Sequence, residues 1–278
     1  MIIWLASYPK SGNTWVRLFL NNLLYSDNKN RSNLNNINIR LFPLRSDFNK
    51  IGFNCDNVEE FVSKCNYAQS KLNLDQKIKI FKTHNALWKT DKFSFTGEQN
   101  TLGVIHIVRD PRNVITSITN HYRKDYDEAL KFMLNEKQSI GLKSSSSETN
   151  LPTIISSWKN HYNSWKRMKK NYLLVKYENL MNDREVEFGK ITEYLKKFEN
   201  FHFDENQTQK IIESCSFEKL QKEEQENGFK EAAKQIDGAI KKFFFLGPKN
   251  KWENILKVNI KEDLENSFKN EMKELGYL

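Results

Sequence analysis

Four short apolar runs interrupt a largely polar chain: Ile2 to Ala6, Ile78 to Phe81, Gly103 to Val108 and Tyr172 to Val175. They are continuous rather than alternating and rich in Ile, Val and Leu, as strands covered on both faces tend to be. Each is followed by polar residues and then, at varying distance, by apolar positions at helical spacing. The first leads into a predicted helix over Thr14 to Tyr25. The third leads into one over Pro111 to Arg123, with Asp110 as N-cap and proline at the first helical position. Strand then helix, repeated, predicts an α/β fold, with one domain over residues 1–278 and a central parallel sheet flanked by helices.

Other stretches fit less regular expectations. Residues 26–57, rich in Asn, and 141–152, with four consecutive serines, read as loops or lids. Over Ser157 to Lys170 the spacing predicts a helix whose Trp158, Tyr162, Trp165 and Met168 stripe is a core face. Phe217 to Lys242 has few apolar anchors among Lys, Glu and Gln, and reads as an exposed helix or a cover.

Composition narrows the class. Hydrophobic residues at 38% and charged residues at 28% suit a folded globular chain. The three cysteines, Cys55, Cys65 and Cys215, form no CxxC pair and are odd in number, so reduced thiols in a cytoplasm-like compartment are expected. The five histidines do not stand at ligand spacing, and no metal is expected. No apolar run approaches a membrane span and no leader pattern precedes Lys10, which reads as a cytoplasmic protein. A net charge of +9 admits a polyanionic partner or a small anionic ligand, or simply a lysine-rich surface.

The candidate chemistry begins with YPKSGNTW, residues 8–15, at the exit of the first strand. In an open parallel sheet ligands bind beyond the carboxyl ends of the strands, where helix N-termini present unpaired N–H groups. Pro9 fixes the turn, and Gly12 permits close approach of backbone to an anion. Ser11, Asn13 and Thr14 offer donors, and Lys10 adds a full positive charge. A lysine-containing turn before a helix is the bland alternative. GxxxxGK[ST] does not occur, so a nucleotide triphosphatase is disfavoured. The stretch resembles the 5′-phosphosulfate loop, YPKSGTTW, of the sulfotransferases that use 3′-phosphoadenosine-5′-phosphosulfate (PAPS). Asn13 is the one difference.

A second segment, VIHIVRDPRNVITSITNHY over Val104 to Tyr122, again reads strand, turn, helix. It resembles the family's 3′-phosphate region, which implies that Arg109 and Ser117 hold that phosphate. Guanidinium and hydroxyl suit the task chemically. Taken alone, Arg109 could instead pair with Asp110 or cap the helix, and Ser117 could be an ordinary helix serine. FKTHNAL, Phe81 to Leu87, resembles the family's KTH segment, which implies His84 as general base. A histidine there resembles members acting on small hydroxyl or amine compounds more than the Golgi carbohydrate enzymes.

Weaker resemblances follow. VKYENL, Val175 to Leu180, implies an adenine contact from Tyr177, which could equally cap the sheet. Cys215, Ser216 and Phe217 resemble a purine-touching stretch in which Cys215 replaces a threonine and Phe217 could stack. Near the C-terminus Gly247, Trp252 and Asn254 fit the family, but Phe245 and Leu246 stand where Arg and Lys are expected, so Lys249 or Lys251 is a candidate substitute.

The resemblance implies a P-loop-NTPase-like sulfotransferase fold, with PAPS as donor and PAP as product and no metal. Lys10 would stabilise the leaving phosphate, Lys10, Ser11, Gly12, Asn13, Thr14 and Trp15 would cradle it, and His84 would deprotonate the acceptor. The competing readings are a P-loop-like kinase or other phosphotransferase, and a nucleic-acid-binding module, which is disfavoured because basic residues cluster with aromatics only over Trp158 to Lys170, and weakly there. No nucleic-acid partner is expected. The acceptor and the oligomeric state stay open. Residues 26–57, 85–100, 125–155 and 225–248 are the expected acceptor-side loops.

Overall fold

A computed structural model describes residues 1–25, 34–55, 57–141, 151–199, 201–232 and 242–278. Its sheet has four parallel strands, β1 (Ile2–Ser7), β2 (Lys79–Thr83), β3 (Thr101–Val108) and β6 (Tyr172–Lys176), in the order β2-β1-β3-β6. These are the four apolar runs, with ends shifted by one or two residues. β1 is central and wholly buried. Because side chains alternate along a strand, Ile3 and Leu5 enter one core and Ile2, Trp4 and Ala6 the other. Thirteen-residue α1 (Asn13–Tyr25) follows β1, and α4 (Pro111–Tyr122) follows β3 with Asp110 accepting from the Arg112 N–H as N-cap.

Several helices lie where the sequence pattern is too polar to announce them. The expected loop over 26–57 contains the short α2 (Arg45–Asn49), while residues 26–33 and 56 are outside the described set. Next comes α3 (Val58–Leu72), which buries only Phe61, Cys65, Ala68 and Gln69. Beyond α4, α5 (Tyr126–Leu134) and an antiparallel pair, β4 (Ser139–Ile140) with β5 (Thr153–Ile154), occupy the expected loop over 125–155. Residues 142–150, with the serine run, lie outside the described residues.

Helix α6 (Trp158–Lys166) is shorter than expected but carries the core stripe: Trp158, Tyr162 and Trp165 are buried, and the Trp165 indole donates to the Asn85 carbonyl at 2.8 Å. Then follow α7 (Tyr177–Asn182), α8 (Arg184–Lys196), α9 (Glu205–Ser214), α10 (Phe217–Asn227), α11 (Val258–Ser267) and α12 (Lys269–Glu274). The expected helix from Phe217 stops at Asn227, and residues 233–241 lie outside the described set. Helices α1, α8, α9 and α10 cover one sheet face; α3 and Trp165 of α6 cover the other. A third apolar cluster joins α4, α5, α11 and α12. Cys55, Cys65 and Cys215 are buried thiols that form no disulfide among the described residues. Among the described residues no helix is long and apolar enough to cross a membrane.

Candidate active site

The order β2-β1-β3 sets three strand exits side by side, and each delivers one predicted residue. A cavity of about 720 Å³ opens there, lined by Lys10, Gly12 and Thr14 after β1, Lys82 and His84 at the end of β2, and Arg109 after β3. Lys82 and His84 are two residues apart, so the strand's alternation turns both to the same side while Thr83 between them is buried.

In the first corner, Lys10 has a left-handed φ of 66° and Gly12 a φ of 99°. A Cβ on Gly12 would lie 2.6 Å from Tyr177 Cδ2, so the glycine is needed to admit the Tyr177 ring as well as to make the turn. The Gly12 carbonyl accepts from Trp15 and Val16 N–H at 3.1 and 3.3 Å, which starts α1.

The second corner grips the first. Arg109 Nη1 donates to the Lys10 carbonyl at 3.0 Å and lies 3.2 Å from Ser117 Oγ, while the guanidinium stacks 4.1 Å from the centre of the Tyr177 ring. Arg109 Nε is buried with no hydrogen-bond partner among the described residues, a donor left over for a ligand. Asp110 does not compete for Arg109. It caps α4 and forks onto Arg112, whose Nη2 lies 2.7 Å away, so the ion-pair alternative is set aside.

His84 sits between the corners. Its Nδ1 is 2.9 Å from the Ser7 carbonyl, which can only accept, so Nδ1 carries the proton and Nε2 the lone pair. Ser7 Oγ lies 3.2 Å from the same nitrogen and receives the Asn13 amide at 3.1 Å. Asn13 also donates to the Leu5 carbonyl at 3.1 Å, so this departure from the family's threonine turns its amide inward, behind the imidazole.

Burial, with the adjacent Lys82 charge, pushes the His84 imidazole well below its ordinary 6.5. The same burial, with Arg109 and Lys82 nearby, brings the Lys10 ammonium down to about 7, and its Nζ lies 4.1 Å over the Phe243 ring. Lys82 falls to about 8 through burial and the Arg17 charge.

Toward the second, smaller cavity stands an aromatic cluster. Trp15 meets Tyr177 edge-on at 5.9 Å and Phe217 at 6.3 Å. A Cβ on Gly247 would lie 2.3 Å from the Phe217 ring, which explains a glycine at a φ of 48°.

Not every predicted residue reaches the cavities. Ser11 is fully buried, its hydroxyl has no hydrogen-bond partner among the described residues, and it lines neither. Cys215 turns its thiol into the core toward Asn22, and its carbonyl receives the Trp15 indole at 2.6 Å. Of the two candidate lysines, Lys251 lines the second cavity and Lys249 neither.

Asn250, by contrast, lines both cavities, bonding Thr116 Oγ1 at 2.8 Å and the Asn113 carbonyl at 3.1 Å and lying 3.5 Å from Ser117 Oγ. Its place in GPKN beside Gly247 was the only signal. Lys82 was legible as the first letter of KTH, whereas Arg17 and Glu231 had no signature.

Leu34, Ile37, Leu41, Leu44, Ile140 and Phe243 give the first cavity an apolar lining and come from three of the four loops expected on the acceptor side; residues 85–100 line neither cavity. No group of three His, Cys, Asp or Glu able to hold a metal occurs among the described residues.

A four-stranded parallel sheet flanked by helices, with Lys10, His84 and Arg109 gathered at its strand exits, defines a P-loop-like α/β protein. The sulfotransferase domain family model matches residues 2–276, and the chain belongs to that family and is a sulfotransferase enzyme. Sulfotransferase 1 family member D1 of Mus musculus is 22% identical over 289 residues, covering 98% of this chain and 83% of its own. Sulfotransferase 1C2 of Oryctolagus cuniculus is 27% identical over 118 residues, covering 42% of this chain and 38% of its own. A mouse sulfotransferase solved in complex with PAP superposes with a TM-score of 0.60 at 20% identity, covering 97% of this chain and 83% of that one. Retinol dehydratase in complex with androsterone and PAP gives 0.57 at 18% identity, covering 98% and 80%. The fold is therefore the sulfotransferase fold.

Proposed function

We propose that this enzyme moves a sulfuryl group from PAPS to a hydroxyl or amine of a small acceptor, within residues 1–278 acting as one catalytic unit. The observation that carries the reading is the junction of the two corners: Arg109 joins the Lys10 carbonyl to Ser117 and keeps Nε unfilled, so a group with negative charge at both the 3′ and 5′ positions would bridge them. Residue chemistry fits such a nucleotide. Arg109, Ser117 and Asn250 would hold its 3′-phosphate, with Lys251 at the rim. Lys10 and the N–H groups from Gly12 to Trp15 would hold its 5′ end, and Trp15, Tyr177 and Phe217 would flank its base.

PAPS supplies, when bound, an SO3 group activated by its phosphate anhydride. The chain's own residues do the rest. His84 Nε2 accepts the proton of the attacking acceptor, and the Ser7 carbonyl fixes the tautomer that leaves this nitrogen free. Lys10 and Lys82 hold positive charge where negative charge develops on the leaving side. The apolar wall from Leu34 to Phe243 excludes water and favours an acceptor with an apolar body.

The test is a titration of PAP against ADP with wild type and Arg109→Ala. Wild type is expected to prefer PAP, and Arg109→Ala to lose most of that preference, about tenfold to a hundredfold for a charge-assisted bond. Equal affinity of wild type for the two nucleotides would remove the reading.

A further inference from the structure

Glu231 belongs to neither corner, yet its carboxylate lies in the same cavity wall. It is ion-paired with Arg17, sits 3.4 Å from Lys82 Nζ and accepts from Thr14 Oγ1 at 3.5 Å. The three donors come from the fixed frame: Thr14 and Arg17 from α1, one turn apart, and Lys82 from the end of β2. The carboxylate comes from a turn beyond α10. The Arg17 side chain is 4% exposed and that of Glu231 36%. Arg17 Nε is buried without a partner among the described residues, so the guanidinium has a donor that Glu231 does not use.

Two cations this close to each other and to Lys10 repel unless an anion lies between them, and a buried charge left unpaired is strongly unfavourable. The frame therefore demands an anion at this point, and Glu231 meets the demand. Burial alone would make its carboxyl harder to ionise, but Lys82 and Arg17 outweigh that and hold it at about 2. Thr14 lies in the loop assigned to the donor's 5′ end, and Lys82 stands two residues from the base. The carboxylate thus occupies ground that a reacting substrate needs.

We propose that Thr14, Arg17 and Lys82 form an oxyanion subsite whose exchangeable resident is Glu231, displaced during the reaction cycle by a singly charged oxyanion of a substrate. The proposal rests on the sulfuryl-transfer reading of the cavity. A carboxylate and a sulfonate are alike in charge, so exchanging one for the other leaves neither cation unpaired. The incoming group is either the donor's sulfonate or an acid group on the acceptor, and Arg17 becomes a substrate contact in either case.

The experiment uses the full chain as wild type, Glu231→Gln, Arg17→Gln and Arg17→Lys, titrated by calorimetry with PAPS and with PAP, which lacks the sulfonate. If the donor's sulfonate is the guest, Glu231→Gln tightens PAPS about tenfold more than PAP. Arg17→Gln abolishes that margin, and Arg17→Lys restores part of it. If an acid group on the acceptor is the guest, the PAPS-to-PAP ratio stays constant. Binding of 4-hydroxybenzoate to the PAP complex, relative to its methyl ester, then rises about tenfold in Glu231→Gln and falls in Arg17→Gln. If PAP binds and neither ratio moves in Glu231→Gln, the subsite is overturned and the nucleotide reading stands. If wild type binds no PAP, both fall.

Discussion

At the scale of single residues, the site separates groups that hold charge from one that must not. His84 is pushed well below 6.5 by burial and Lys82, so it is neutral and able to accept a proton throughout the physiological range. His84→Ala is expected to lower turnover by about a hundred-fold to ten-thousand-fold while PAP affinity, measured by titration, stays close to wild type. Loss of both together would mean that the imidazole is part of the nucleotide grip. Lys10 behaves oppositely. With its ordinary value brought down to about 7, it is partly neutral in the free protein, and an anion beside it restores the ammonium by taking up a proton. PAP affinity should therefore fall as pH rises from about 7 to 9, by up to tenfold per unit, and calorimetry in buffers of different ionisation heat should register the proton uptake. The acid limb of the rate profile should lie well below 6.5, because His84 protonates late.

Elements explain why these residues were legible and others were not. Lys10, His84 and Arg109 stand at ends of apolar strands, where a fixed backbone converts sequence position into spatial position, so a linear reading finds them. Arg17 and Glu231 meet across a sequence gap of 214 residues, and nothing in the local pattern of either announces the other. Asn13 was read as a donor to an anion, but its amide is spent on Leu5 and Ser7 because α1 starts with that side chain facing the strand. Helix α3 escaped notice because its buried positions are few and flanked by polar residues, and α5 because its apolar run is only a few residues long.

Two substitutions probe these elements. Gly12→Ala forces a Cβ into the Tyr177 ring at a φ that suits glycine, so it should cost roughly 1–3 kcal/mol in denaturant unfolding and weaken PAP binding as well. Asp110→Ala removes both the α4 cap and the fork on Arg112, leaving the buried guanidinium with Glu265, the Tyr277 carbonyl and the face of Trp252 among the described residues. A loss of about 3 kcal/mol is expected, and one under about 1 kcal/mol would mean that the remaining partners suffice.

For the molecule as a whole, one cavity gathers both charge and apolar surface. Its lining includes the cations Lys10, Lys82, Arg17 and Arg109 and the apolar side chains Leu34, Ile37, Leu41 and Phe243, and the two kinds meet where Lys10 lies over the Phe243 ring. A net charge of +9 read from the sequence did not distinguish a nucleic-acid partner from a small anion; the concentration of buried cations around one cavity favours the small anion. What stayed illegible was the apolar lining of the cavity, because it comes from segments whose side chains meet only after the sheet has formed.

The side-by-side strands have a consequence for how such an enzyme can diversify. Neighbouring parallel strands keep a pitch of about 4.8 Å, so the offset between imidazole and ammonium is inherited from backbone pairing and owes nothing to the outer walls. Transplanting residues 34–44 from a relative should therefore exchange one clientele of acceptors for another while leaving the PAP dissociation constant where it was.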